Sequence, residues 1–295
     1  MSDQYHARKQ ITFEQAEGIE PLPAQLRIGE LTQELRALLW AVFHGHLQNS
    51  RQRPDYSKPL ISDPWRGILL DKHIFRDHKM ADDFDDNYDR CEKMVKAIFE
   101  AGDYVRVFGF VQWILRHPKR PFGLERQIDA VLRRAHAAYA VLDGNTIIPI
   151  GSEAERQTIE RAFVDVASSE FNGARVHLRS AGSELTDGRY GPSIRESIHA
   201  VESVARVLDD GATTLDPALR KLEKAINIHP ALRIGFGKLY GFTSDEEGIR
   251  HSLIDEPVAA VDATDALYML GACAAFVSYL INKARTAGLL ETTKK

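Results

Sequence analysis

Histidine titrates nearest neutral pH, and arginine carries a fixed charge whose fork fits paired phosphate oxygens, so a search for chemistry starts where the two stand together. In TSDEEGIRHS, residues 243–252, Arg250 lies beside His251 after Asp245, Glu246 and Glu247. Two readings of this stretch are open. In one, the guanidinium holds a phosphate while the imidazole moves a proton. In the other, Thr243 or Ser244 caps a short turn, the acids sit at its positive end and Gly248 lets the chain reverse. Adjacent residues on a helix point about 100° apart, so only a non-helical segment brings Arg250 and His251 to one face.

Two further groups carry charge in a pattern. Arg195, His199, Glu202 and Arg206 recur at i, i+4, i+7 and i+11, which makes one ionisable stripe along a helix. The stripe is either a run of exposed ion pairs or a source of partners for His251, with Arg195 as a cation and Glu202 as the group orienting the ring. Residues 116–134, RHPKRPFGLERQIDAVLRR, gather Arg116, Lys119, Arg120, Arg126, Arg133 and Arg134, with Trp113 and Phe122 as stacking surfaces. This patch suits an RNA backbone, or it is a solvated helix face.

Metal chemistry is not expected. ADDFDDNYDR opens like a calcium loop at Asp83, Asp85 and Asn87, but Tyr88 replaces the required glycine and Met94 the bidentate glutamate. His44 with His46, and His73 with His78, lack the i, i+4 spacing of a zinc helix. Cys91 and Cys273 are the two cysteines, far apart and outside any paired spacing, so neither a disulfide framework nor a thiolate zinc site is indicated. No GxxxxGK[ST] or GxGxxG element occurs, so the sequence has no nucleotide-binding motif, and no cofactor is implied.

The elements that must position these groups follow from composition and period. With 295 residues, 44% apolar, two domains are expected. A net charge of -4 argues against coating nucleic acid through bulk electrostatics, so any RNA contact is local. The first residues lack an apolar run of the signal-peptide kind, and a cytoplasmic protein is expected. Residues 266–281 are apolar all round but fall short of the roughly 18–20 needed to span a bilayer, which predicts the central helix of a bundle and no membrane contact.

Leu31, Leu35, Leu38, Leu39 and Val42 predict an amphipathic helix, the proline-rich 49–65 a loop, and 91–117 helical structure with a break at Gly102. Leu124, Ile128, Val131, Leu132, Ala135 and Tyr139 form the next apolar face. Around Asp143, Gly144 and Asn145 the period changes to that of a small β-hairpin, near residues 138–150. Ser152 and Glu155 then have capping-box spacing. The stripe Ile194, Ile198, Val201, Ala205 and Leu208 follows, then a helix capped by Asp216 and another from Pro230 to Gly241. The fold class is mostly α, in two domains, 1–150 and 151–295, the second a helical bundle.

Four stretches carry a resemblance: ITFEQAEGIEPLPAQLRIGELTQELRALLW, YGPSIRESIHAVESVARVL, HPALRIGFGKLYGFTSDEEGIRHSLID and MLGACAAFVSYLINKA. They resemble a bacterial family of the abortive-infection type, with an AbiJ-like domain over 1–150 and a HEPN-like bundle over 151–295. The resemblance implies anti-phage defence, a homodimer, and metal-independent cleavage or binding of RNA. It casts His251 as acid or base, Arg250 or Arg195 as phosphate clamp and Glu202 as orienting group. The family pattern sets an arginine several residues before the histidine, where this chain has Ser244, Asp245 and Glu246. That departure opens an alternative, a non-catalytic sensor and dimerisation module.

Overall fold

A computed structural model describes residues 13, 17, 19, 24–53, 58–209, 211, 215–245 and 261–290. It shows a mostly α protein: eleven α-helices and two two-stranded sheets among the described residues. The chain falls into two compact units, Met1–Asn145 and Thr146–Lys295.

In the first unit, α1 (Gln33–Gln48) starts where the Thr32 side chain accepts a hydrogen bond from the Leu35 N–H. Its buried stripe is Leu35, Leu39, Phe43 and Leu47, a strict four-residue repeat. Leu38 and Val42, expected in the stripe, are half-buried because that repeat turns the face toward Phe43. Phe43 meets Phe99, Phe110 and Trp65 at ring-centroid distances of 4.9, 5.7 and 5.9 Å, forming the aromatic centre of the unit. The expected loop over 49–65 holds a short antiparallel pair, β1 (Arg51–Gln52) with β2 (Leu60–Ile61), too brief to leave a period-2 signal. Helices α2 (Trp65–Phe75), α3 (Tyr88–Ala101) and α4 (Tyr104–Arg116) follow. The break at Gly102 is present: Asp103 caps α4 by accepting from the Arg106 N–H, and Arg36 of α1 donates to the carbonyls of Phe99 and Gly102. In α5 (Leu124–Arg134), Leu124, Ile128, Val131 and Leu132 are buried and Arg126 and Arg133 exposed, as the periodicity predicts.

Strands β3 (Tyr139–Leu142) and β4 (Thr146–Pro149) pair as the expected hairpin, with Asp143 and Gly144 in the left-handed region at φ of 51° and 71°.

The second unit takes its start from β4. The Ser152 hydroxyl accepts from the Glu155 N–H and begins α6 (Glu153–Asp165), while the Glu155 carboxylate accepts from the Gly151 N–H. Strand β4 lies on α7 (Asn172–Thr186): a Cβ on Gly182 would sit 2.2 Å from Ile148 Cγ2, so glycine alone allows this approach, and the Thr186 hydroxyl donates to the Ile147 carbonyl. Helix α8 (Tyr190–Leu208) packs on α7 and on α11 (Ala263–Thr286), which also packs on α6. On α8, Ile194, Ile198, Val201 and Ala205 are buried as expected and Leu208 half-buried.

Three details correct the sequence reading. Helix α9 (Leu215–Ala225) begins before Asp216, which therefore sits inside the first turn and pairs with Arg220 at 2.8 Å instead of capping. Helix α10 (Pro230–Asp245) runs through Gly241, because a helical glycine costs only about 1 kcal/mol and ends nothing by itself. Thr243 and Ser244 accordingly lie in its last turn and do not start a new one. Finally, α11 is 24 residues long, so the length argument against a membrane span fails: by length and composition it could cross one. Its burial supports the core role, since Met269, Leu270, Cys273, Ala274, Val277, Leu280 and Ile281 are all enclosed. Asp262 and Asp265 close a full capping box at its start, as their position favours.

Candidate functional site

Helices α7 and α8 form a hairpin closed by Asp187–Gly188–Arg189. Gly188 takes φ of 74°, and its N–H donates to the Leu185 carbonyl, the left-handed cap that lets two helices reverse within three residues. The seam between them is made of small residues. The buried Ser193 hydroxyl donates to the Ala181 carbonyl, the Ser197 hydroxyl to the Ser193 carbonyl, and a Cβ on Gly173 would meet Ser203 Oγ at 2.5 Å.

Close packing brings His177 and His199 together, because each lies nine residues from the turn-facing end of its own helix. Their ring centroids are 5.3 Å apart. Glu196, one turn before His199 on α8, reaches both rings: one oxygen is 2.8 Å from His177 Nδ1, the other 3.6 Å from His199 Nδ1. A cleft of about 480 Å³ opens beside them, lined by His177, His199, Glu202, Ser203, Arg206 and Val207. The Glu202 carboxylate is largely covered and lies 3.9 Å from the Arg206 guanidinium, which reaches solvent. The cleft thus offers two imidazoles, carboxylate, hydroxyl and guanidinium within one wall: acid–base groups, an anion clamp and metal-ligand atoms.

Of the stripe read from the sequence, His199, Glu202 and Arg206 line this cleft, and Arg195 stands half-buried one turn before His199. His251 and Arg250 lie outside the described residues. His177 and Glu196 were missed. The available signal was Glu196-Ser-Ile-His199, two ligand-type residues at i, i+3, with a second histidine placed symmetrically across a glycine turn.

The basic stretch of the first unit is spent on structure to a greater degree than its composition suggests. Arg120 donates to the carbonyls of Leu115 and Gly144, Arg116 to that of Asn145, and Arg133 to the Asp129 carboxylate at 2.8 Å. Lys119 stands 3.7 Å from Asp63. Arg126 and Arg134 are exposed, as is Phe122, while Trp113 lies under the Arg76 guanidinium at 5.9 Å. Of the residues that resemble a calcium loop, Asn87 caps α3, and the Asp85 carboxylate accepts from the Asn87 N–H, which together with Arg90 holds its acid below the usual carboxylate range. His44 pairs with Glu92 at 3.0 Å, His46 with Gln127, and His73 with the Met80 carbonyl.

A second hollow, about 350 Å³, runs along α11 and is lined by Arg161, Ser278, Tyr279, Asn282 and Lys283. Its polar groups are drawn toward the buried Asp165, which accepts from Asn282 and Arg285 and so ties α6 to α11. Cys91 and Cys273 are buried free thiols. Burial raises Cys91 to about 11 and pushes Cys273 up further, so neither is a nucleophile near neutral pH.

Compared with known proteins, residues 12–165 match the family model described as AbiJ N-terminal domain 4. No curated protein and no solved structure matches the chain.

Proposed function

The chain belongs to the AbiJ N-terminal domain 4 family, whose abortive-infection type makes it a defence protein, and on that premise we propose that it arrests phage growth by acting on RNA through its second unit. The observation that carries this reading is the cleft between α7 and α8, where Arg206 reaches solvent beside Glu202 and His199. A guanidinium in such a wall holds a phosphodiester, and Arg195 on the same helix adds a second positive charge. Cleavage follows the route that the HEPN-like resemblance implies. An imidazole, His251, takes the proton of the ribose 2'-hydroxyl as that oxygen attacks phosphorus and the 5'-oxygen leaves, and Arg250 or Arg195 steadies the charge gathering on the phosphate. The bundle pairs with a second copy of itself, and the first unit recognises the infection cue. The exposed Arg126, with Lys119 and Arg116 of the same sequence stretch, forms an RNA contact of the first unit.

The test is sequencing of RNA ends after controlled expression in bacterial cells. The parent chain leaves new ends carrying 2',3'-cyclic phosphate, and His251→Ala leaves none. Equal fragmentation by both removes His251 from the mechanism.

Ser244, Asp245 and Glu246, standing where the resembled family places its arginine, favour a second reading: a bundle that senses and dimerises without cutting. That reading predicts growth arrest with intact RNA.

A further inference from the structure

We propose that His177, Glu196 and His199 form a binding site for a divalent first-row transition metal, zinc by preference. The site does not depend on the RNA reading.

Three ligand atoms of these residues lie within 4.8 Å of one another, on two helices whose relative position is fixed by a glycine turn and a small-residue seam. Tetrahedral zinc holds its donors at about 2.0–2.1 Å, which sets them about 3.4 Å from one another. One Glu196 oxygen is 2.8 Å from His177 Nδ1 and the other 3.6 Å from His199 Nδ1, so a turn of the carboxylate must accompany closing in by the two rings. They are free to do so, because the side chains of His177 and His199 are 34% and 37% exposed and their ends are not locked in the core. Glu196 and His199 at i, i+3 present both groups from one helix face, and His177 supplies the third from the facing helix, the arrangement by which helical bundles hold metals.

The donor chemistry selects the ion. Two imidazoles and one carboxylate form the set that zinc and ferrous iron favour and that calcium and magnesium, which prefer all-oxygen shells, do not. Three protein ligands leave at least one position open, and the adjoining cleft supplies water to it.

The experiment uses the full chain, stripped with a chelator and dialysed against zinc alone, with bound zinc measured per chain by elemental analysis. The parent takes up one equivalent. His177→Gln, Glu196→Gln and His199→Gln, each checked for parent-like circular dichroism, bind at least about a hundredfold more weakly, beyond the cost of losing an outer partner. Three separate ligand changes keep the test intact if one variant fails to fold. His44→Ala, which removes an ordinary His–Glu pair at 3.0 Å, binds as the parent does. Cobalt(II) in place of zinc gives visible absorption bands of a low-coordinate imidazole site in the parent alone. Zinc uptake that is absent in the parent, or undiminished in all three ligand variants, overturns the proposal. No RNA enters the assay, so loss of the nuclease reading leaves this result standing, and the reverse.

Discussion

Two histidine sites, one in each unit, are used in opposite ways. In the first unit, His117 is buried and both ring nitrogens are committed: Nδ1 accepts from the Lys119 N–H at 3.0 Å and Nε2 meets the Asp71 carboxylate at 3.0 Å. One ring, one carboxylate and one backbone group satisfy each other, and the product is a fixed chain reversal after α4. In the second unit, two half-exposed rings share the single carboxylate of Glu196 beside an open cleft. The arginines divide similarly. Arg36 and Arg120 spend their donors on backbone carbonyls, whereas Arg206 makes a loose 3.9 Å contact with Glu202. A polar group that completes a fold is enclosed and fully bonded; one available for chemistry keeps capacity in reserve at a surface.

That contrast is open to direct attack. The largest expected effect is on His117→Ala, which strands the Lys119 N–H and the Asp71 carboxylate and lowers stability by about 2–3 kcal/mol. All three tryptophans, Trp40, Trp65 and Trp113, lie in the first unit, so their fluorescence during urea unfolding reports it selectively. His199→Ala, followed by circular dichroism, costs less than about 1 kcal/mol, as an exposed pair should. Equal losses at the two sites would erase the distinction. A smaller difference is expected between the arginines: Arg120→Ala costs about 1–2 kcal/mol through two abandoned carbonyls, and Arg206→Ala about 0.5 kcal/mol or less. The smallest effect is a shared silence. With burial holding Cys91 at about 11 and Cys273 higher still, a thiol reagent at neutral to mildly alkaline pH labels neither unit of the native chain, and both cysteines react in denaturant. Rapid labelling of the native chain would mean that one core opens readily.

Much of the scaffold could be read from the residues. Helical period placed α1, α5 and α8, and Gly102, Asp143–Asn145 and Ser152 marked real boundaries. The misses have physical causes. β1 and β2 are two residues each, too short for alternation to show, and the ends of α9 and α10 turn on single residues that local propensity does not decide. The cleft was half legible. Spacing along one helix exposes His199, Glu202 and Arg206 as a stripe, but His177 joins them only across the hairpin, and pairing between helices leaves no mark in a one-dimensional period. His251 and Arg250, the first residues to suggest chemistry, lie outside the described residues.

The claim at the centre is that the α7–α8 cleft is the working surface of a defence protein. Phage plating on bacteria carrying the parent or Arg206→Ala, at matched protein level, tests it most directly. With Arg206→Ala, protection falls to that of cells without the gene while the variant accumulates and folds normally. Full protection by Arg206→Ala at the parent's level would contradict it.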